Sequence, residues 1–108
     1  MKELLENADE FIEAGEESLI KKRYNVSASD FFKAIVICCD YLIYNQIKRL
    51  PKNHNDRFNL LKLYFKDIYE KVNFLFGIYI KSYNLKMELK EVLLLKKYVY
   101  EIRKIISD

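Results

Sequence analysis

The chain has one histidine, His54, five residues after Arg49 in the run Arg49, Leu50, Pro51, Lys52, Asn53, His54. An imidazole can take the proton of a ribose hydroxyl while a guanidinium holds the scissile phosphate, which is metal-free ribonuclease chemistry. In that reading Arg49 and Arg57 stabilise a pentacovalent phosphate, Lys52 adds positive charge and Asn53 lies among the binding residues. Catalysis by one histidine would also need a second proton-transfer group, from a partner chain or from water. The structural alternative is a histidine that caps the next helix or hydrogen-bonds the loop backbone.

Asp40 interrupts an apolar run between Cys39 and Tyr41, where a carboxylate must be hydrogen-bonded, paired or turned outward. A functional Asp40 would face a cleft with Tyr44 or a lysine nearby; a structural one would bond a tyrosine within the bundle or sit at an edge. Ile43 and Tyr44 occupy the positions three and four residues on, so no second carboxylate completes a bridged metal site. Glycine-rich phosphate loops, C-x-x-C pairs and metal-ligand spacings are lacking, and no serine has a neighbouring histidine to activate it. No metal or cofactor is expected. Tyr64, Tyr79 and Tyr83, beside Lys66 and Lys81, offer stacking surfaces for bases, although aromatics at helical spacing more often fill cores.

These groups need a scaffold, and the composition indicates a helical one. Two glycines, one proline and no tryptophan in 108 residues leave little material for the turns of a sheet protein. Nineteen Lys and Arg against sixteen Asp and Glu give a formal charge of +3, too mild to demand nucleic acid as a partner. Cys38 and Cys39 are adjacent, point about 100° apart on a helix, and read as small core residues in a reducing compartment. The first residues are rich in acids and no stretch of 18 residues is free of charge, so a cytoplasmic protein without membrane segments is expected.

Four helices are predicted. The first spans about Lys2 to Arg23, with Leu5, Ala8, Ile12, Gly15 and Leu19 on one face, acids early and bases at its end. Tyr24 and Asn25 break the pattern, and Ser27 or a residue one turn earlier caps a second helix reaching about Lys48 or Arg49. Its middle is apolar nearly all round, which makes it the central helix. Leu50 to Asp56 is a loop, with Asn53, Asn55 or Asp56 as the next cap. A third helix continues to about Ser82, with Gly77 easing a close helix contact or marking a bend. A last helix runs from about Met87 to Ser107. Short connections favour an antiparallel up-down four-helix bundle forming one domain over residues 1–108, and the wide apolar faces suggest a homodimer.

Ala14-Gly15-Glu16, Leu19, Tyr24 to Ala28, Phe31 to Ile35 and Asp40 to Ile43 together resemble the opening of HEPN-domain proteins. Leu50 to His54 and Tyr79 to Tyr83 are similar to the loop histidine and tyrosine-bearing region of the small prokaryotic members. The resemblance covers about Ala14 to Ile106 and implies an antiparallel, commonly dimeric helical bundle. Members include metal-independent ribonucleases of toxin-antitoxin systems, partners of minimal nucleotidyltransferases, and non-catalytic RNA- or nucleotide-binding modules. The ribonucleases carry an arginine with a histidine four to six positions on, a spacing that Arg49 and His54 satisfy. The chain departs from them in that Arg49 is followed by Leu50 and Pro51, and Phe76 to Tyr83 has neither arginine nor histidine.

The reading this supports first is an HEPN-like homodimeric binding module for RNA, nucleotide or a nucleotidyltransferase-type partner, without strong catalysis. The second is a metal-independent RNA endonuclease with His54 as base and Arg49 on the phosphate. The third is a structural helical interaction protein.

Overall fold

The computed structural model describes residues 1–107, and every regular element in it is helical. Five α-helices follow one another: α1 (Lys2–Ile20), α2 (Tyr24–Ile47), α3 (His54–Tyr64), α4 (Lys66–Ile80) and α5 (Leu89–Ser107). A single 3₁₀ turn, Lys81–Tyr83, follows α4. No helix of the described residues is long and apolar enough to cross a membrane.

The connection from α1 to α2 is made by backbone geometry. Lys22 adopts a left-handed conformation (φ 59°), its N–H reaches the Leu19 carbonyl at 3.0 Å, and the Arg23 N–H reaches Ser18 at 2.8 Å. This is the hydrogen-bond pattern of a Schellman turn, with a lysine where glycine is usual. The turn delivers the chain directly into α2, so α2 starts at Tyr24, one turn before Ser27, and without a capping side chain. Ser27 instead lies inside the α1–α2 contact, fully buried, and its hydroxyl donates to the Gly15 carbonyl at 2.8 Å.

α2 is the central helix, in contact with α1, α3, α4, α5 and the 3₁₀ turn. Phe31, Phe32, Ala34, Ile35, Cys38 and Ile43 are all buried, which accounts for an apolar pattern that runs nearly all round. The two cysteines are free thiols in this core, and burial pushes the Cys38 thiol up to about 12 and that of Cys39 higher still. They are inert packing groups. α5 lies along α1 in the opposite direction, because Arg103 pairs with Asp9 (2.8 Å) while Lys96 pairs with Glu16 (3.0 Å). The basic ends at Lys21 to Arg23 and Arg103 to Lys104 therefore fall at opposite ends of the molecule.

The third predicted helix is two helices. Phe65 (φ −141°, ψ 64°) leaves helical space, yet its N–H still bonds Leu61 at 2.7 Å and its carbonyl still accepts from Tyr69 at 2.8 Å. A straight helix over His54 to Ile80 would run about 40 Å, longer than the 38 Å axis of the whole molecule. Breaking at Phe65 lets Leu60 and Leu61 on one side, and Val72, Leu75 and Ile78 on the other, reach the same core. The apolar phase carries across the break, so nothing in the pattern marks it. Gly77 lies inside α4, which continues through it, and a Cβ there would meet nothing within 4 Å, so it eases no close helix contact.

Asn25, which reads in the sequence as a pattern breaker, fastens the linker before α5. Its amide nitrogen donates to the carbonyls of Ser82 (2.9 Å) and Leu85 (2.8 Å), and its oxygen accepts from the Met87 N–H at 2.9 Å.

Candidate functional site: an arginine anchor beside an aromatic cleft

α2 and the first turn of α3 bring three of the predicted residues together. Asn53 caps α3 by accepting the Asp56 N–H on Oδ1 at 2.8 Å, which fixes the start of the helix and puts His54 and Arg57 one turn apart on one face. Arg57 Nε and Nη2 donate to the two carboxylate oxygens of Asp40 at 2.6 and 3.0 Å. Both side chains are largely buried, with 13% and 15% of their surface exposed, so Asp40 has the paired environment that its position inside an apolar helix requires.

The third arginine contact defines the imidazole. Arg57 Nη1 lies 2.9 Å from His54 Nδ1. A guanidinium has donors only, so Nδ1 is the acceptor and the proton of the neutral ring sits on Nε2. Asp40, Arg57 and His54 thus form one chain of charge-assisted hydrogen bonds. Three of the five guanidinium N–H groups are used; among the described residues the two remaining, one on each terminal nitrogen, have no assigned acceptor.

His54 and Arg57 stand at the edge of a cleft of about 440 Å³. Its walls are apolar: Phe11 from α1, Phe32, Val36 and Ile37 from α2, and Phe76 and Ile80 from α4. Tyr79 stacks on Phe32 with ring centroids 4.5 Å apart, and the His54 ring lies 6.1 Å from that of Phe76. The polar lining consists of Lys33, His54, Arg57, Tyr79 and Tyr83. The hydroxyls of Tyr79 and Tyr83 bond each other at 2.9 Å, and burial together with that bond raises Tyr79 above the usual phenol range.

The other predicted site residues lie outside the cleft lining. Arg49 turns to Asp56, with Nη1 2.9 Å from Oδ2, and also reaches the Leu50 carbonyl at 3.3 Å. Asp56 accepts the Lys52 backbone N–H as well, at 2.9 Å; the Arg49 hydrogen bond, then that N–H, hold its carboxyl below the usual range. Arg49, Lys52, Asn53 and Asp56 therefore build the loop that carries α3. Tyr44 is half-buried one turn beyond Asp40. Of the three tyrosines offered as stacking surfaces, Tyr79 and Tyr83 line the cleft and Tyr64 lies at the α3–α4 corner.

Phe11, Phe32, Lys33, Val36 and Phe76 enter the site without a signal of their own. The only trace is that Phe32, Lys33, Val36 and Ile37 share a face of α2, and the surrounding apolar residues hide that face in the sequence. Among the described residues no group of three or more His, Cys, Asp or Glu side chains could hold a metal ion.

Comparison with known proteins returns no matching family model, no matching curated protein and no matching solved structure.

Proposed function

We propose that this chain is an HEPN-like module that binds RNA or nucleotide phosphate at Arg57 and His54 without cleaving it, and that it acts as a homodimer. The bundle in this reading is an antiparallel up-down four-helix one, with α3 and α4 serving as a single bent third helix. The opposed register of α1 and α5, and the contacts of Phe32 near the start of α2 with Phe76 and Tyr79 near the end of α4, support that arrangement.

The observation that carries the functional reading is the Arg57 to His54 Nδ1 hydrogen bond. A general base must present an unprotonated ring nitrogen to the ribose hydroxyl. In this arrangement Nδ1 is occupied by Arg57 and Nε2 carries the proton, so His54 offers a ligand a donor. Arg57, oriented by Asp40, offers two more. Donors held rigidly on charged or polar groups suit a phosphate oxygen, and they bind the ground state without supplying a proton acceptor. Arg49, the phosphate ligand of the ribonuclease reading, is engaged by Asp56.

The test is anisotropy of a labelled single-stranded RNA with wild type, Arg57→Gln and His54→Gln in excess chelator, with the RNA afterwards resolved on a gel. Binding is expected to weaken at least tenfold in Arg57→Gln, and its salt slope to fall by about 0.7, the value of one phosphate contact on a single strand. The RNA is expected to stay intact. Chelator-resistant cleavage that disappears in a His54→Ala variant would replace this reading with the endonuclease, and wild type that binds no RNA or nucleotide would leave only a structural role.

A further inference from the structure

The aromatic cleft reaches beyond what a phosphate contact at its edge needs, and its lining has a definite chemical bias. No Asp, Glu, Asn or Gln is among the residues that line it. Its charges are the cations Lys33 and Arg57, with His54 beside them; the Lys33 ammonium lies 5.6 Å from the Phe11 ring centroid. The carboxylate of Asp40 stands behind Arg57 and is spent on it. A nucleobase inside would present donors and acceptors that proteins meet with amide and carboxylate side chains, and the two phenols, bonded to each other, keep a single O–H donor between them. The interior suits an apolar body, and the edge suits one oxyanion.

We infer that the cleft lined by α2 and α4 binds a small aryl carboxylate, its ring system against Val36, Ile37 and the exposed edge of Phe76 and its carboxylate on the open N–H groups of Arg57, and that this ligand displaces RNA. A carboxylate accepts charge-assisted hydrogen bonds from guanidinium N–H groups. The volume of about 440 Å³ falls at the low end of the roughly 300–1,000 Å³ typical of small-molecule sites, room for a two-ring molecule. The displacement of RNA rests on the reading above, since both ligands would use Arg57; the binding of the carboxylate does not.

The experiment is titration of the whole chain with naphthoate, followed by calorimetry and by methyl NMR signals of Val36, Ile37 and Ile80, with naphthamide and uridine monophosphate as parallel arms. Naphthoate is expected to shift these methyl signals by its ring current. Naphthamide, the same body without the charge, is expected to bind at least tenfold more weakly. Arg57→Gln should weaken naphthoate binding at least tenfold, and so should Ile80→Glu, which places a negative charge at a position already 46% exposed and so leaves the core alone. Naphthoate should also raise the apparent dissociation constant for RNA in proportion to its occupancy. Equal binding of naphthamide, or uridine monophosphate producing the methyl shifts while naphthoate produces none, would overturn the inference. RNA binding with no naphthoate binding sinks the effector and leaves the proposed function standing. Naphthoate binding with no RNA binding does the reverse.

Discussion

Asp40 on α2 holds Arg57 on α3 with both carboxylate oxygens, at 2.6 and 3.0 Å, and thereby ties the helix that carries the candidate site to the centre of the fold. The pair is largely buried, so removing one partner leaves a desolvated charge, and a loss of about 1–3 kcal/mol is expected for Asp40→Ala. The double variant Asp40→Ala, Arg57→Ala should lose less than the sum of the two single variants, by a coupling of about 1 kcal/mol or more. Urea denaturation of the four proteins measures this, and additive losses would mean that the two groups do not depend on each other.

The two glycines are predicted to respond in opposite directions. A Cβ on Gly15 would come within 2.8 Å of the Phe31 ring, which is fully buried and has no room to retreat, in the stretch where Ser27 closes α1 onto α2. Gly15→Ala should therefore destabilise by about 1–3 kcal/mol, the cost of overpacking a filled core. Gly77 lies within α4 with open space around it, so Gly77→Ala should stabilise by about 0.5–1 kcal/mol through the unfolded chain's lost freedom. Denaturation midpoints of both variants decide the matter, and a destabilising Gly77→Ala would show that something packs closely on that face in solution.

How far the sequence discloses this molecule follows from which interactions are local. Helix content, the central place of α2, the inert Cys38 and Cys39 and the cap before α3 all depend on periodicity or on neighbours a few residues apart, and they are legible. The break at Phe65 is not, because the apolar phase continues through it. Asn25 reads as a breaker because its partners Ser82, Leu85 and Met87 are about sixty residues away. Asp40, Arg57 and His54 can each be singled out, but Arg49 competes for the same role in sequence. Only the fold assigns Arg49 to Asp56 and Arg57 to His54.

That division predicts a pH dependence in the loop. Asp56 is held below the usual carboxylate range by Arg49 first and the Lys52 N–H second. A depressed folded value stabilises the loop at pH above the unfolded value, and this contribution is lost as pH falls through the folded one. Stability measured from neutrality down through the carboxylate range should therefore decline less steeply in Asp56→Asn than in wild type. Arg49→Gln should flatten the same limb, because it removes the larger cause of the shift. Identical acid limbs in all three proteins would show that the Arg49–Asp56 contact does not persist in solution.

The alkaline side is governed by tyrosines. Burial, and then the hydrogen bond its hydroxyl donates to Glu16 at 2.6 Å, push Tyr100 up to about 12, and burial raises Tyr98 further. A phenol whose folded value is raised stabilises the fold fully below the unfolded value near 10, and that contribution disappears as pH rises through the folded one. Absorbance of tyrosinate should thus show a late fraction to which Tyr98 and Tyr100 contribute. Tyr100→Phe should remove one late group, and the alkaline limb of its stability should be flatter than that of wild type, since the chain no longer carries that titration. In denaturant the late fraction should merge with the rest. A wild-type curve with all nine ionising together in the folded state would mean that Tyr98 is not buried between α5 and α2 and that Tyr100 is not held by Glu16 of α1.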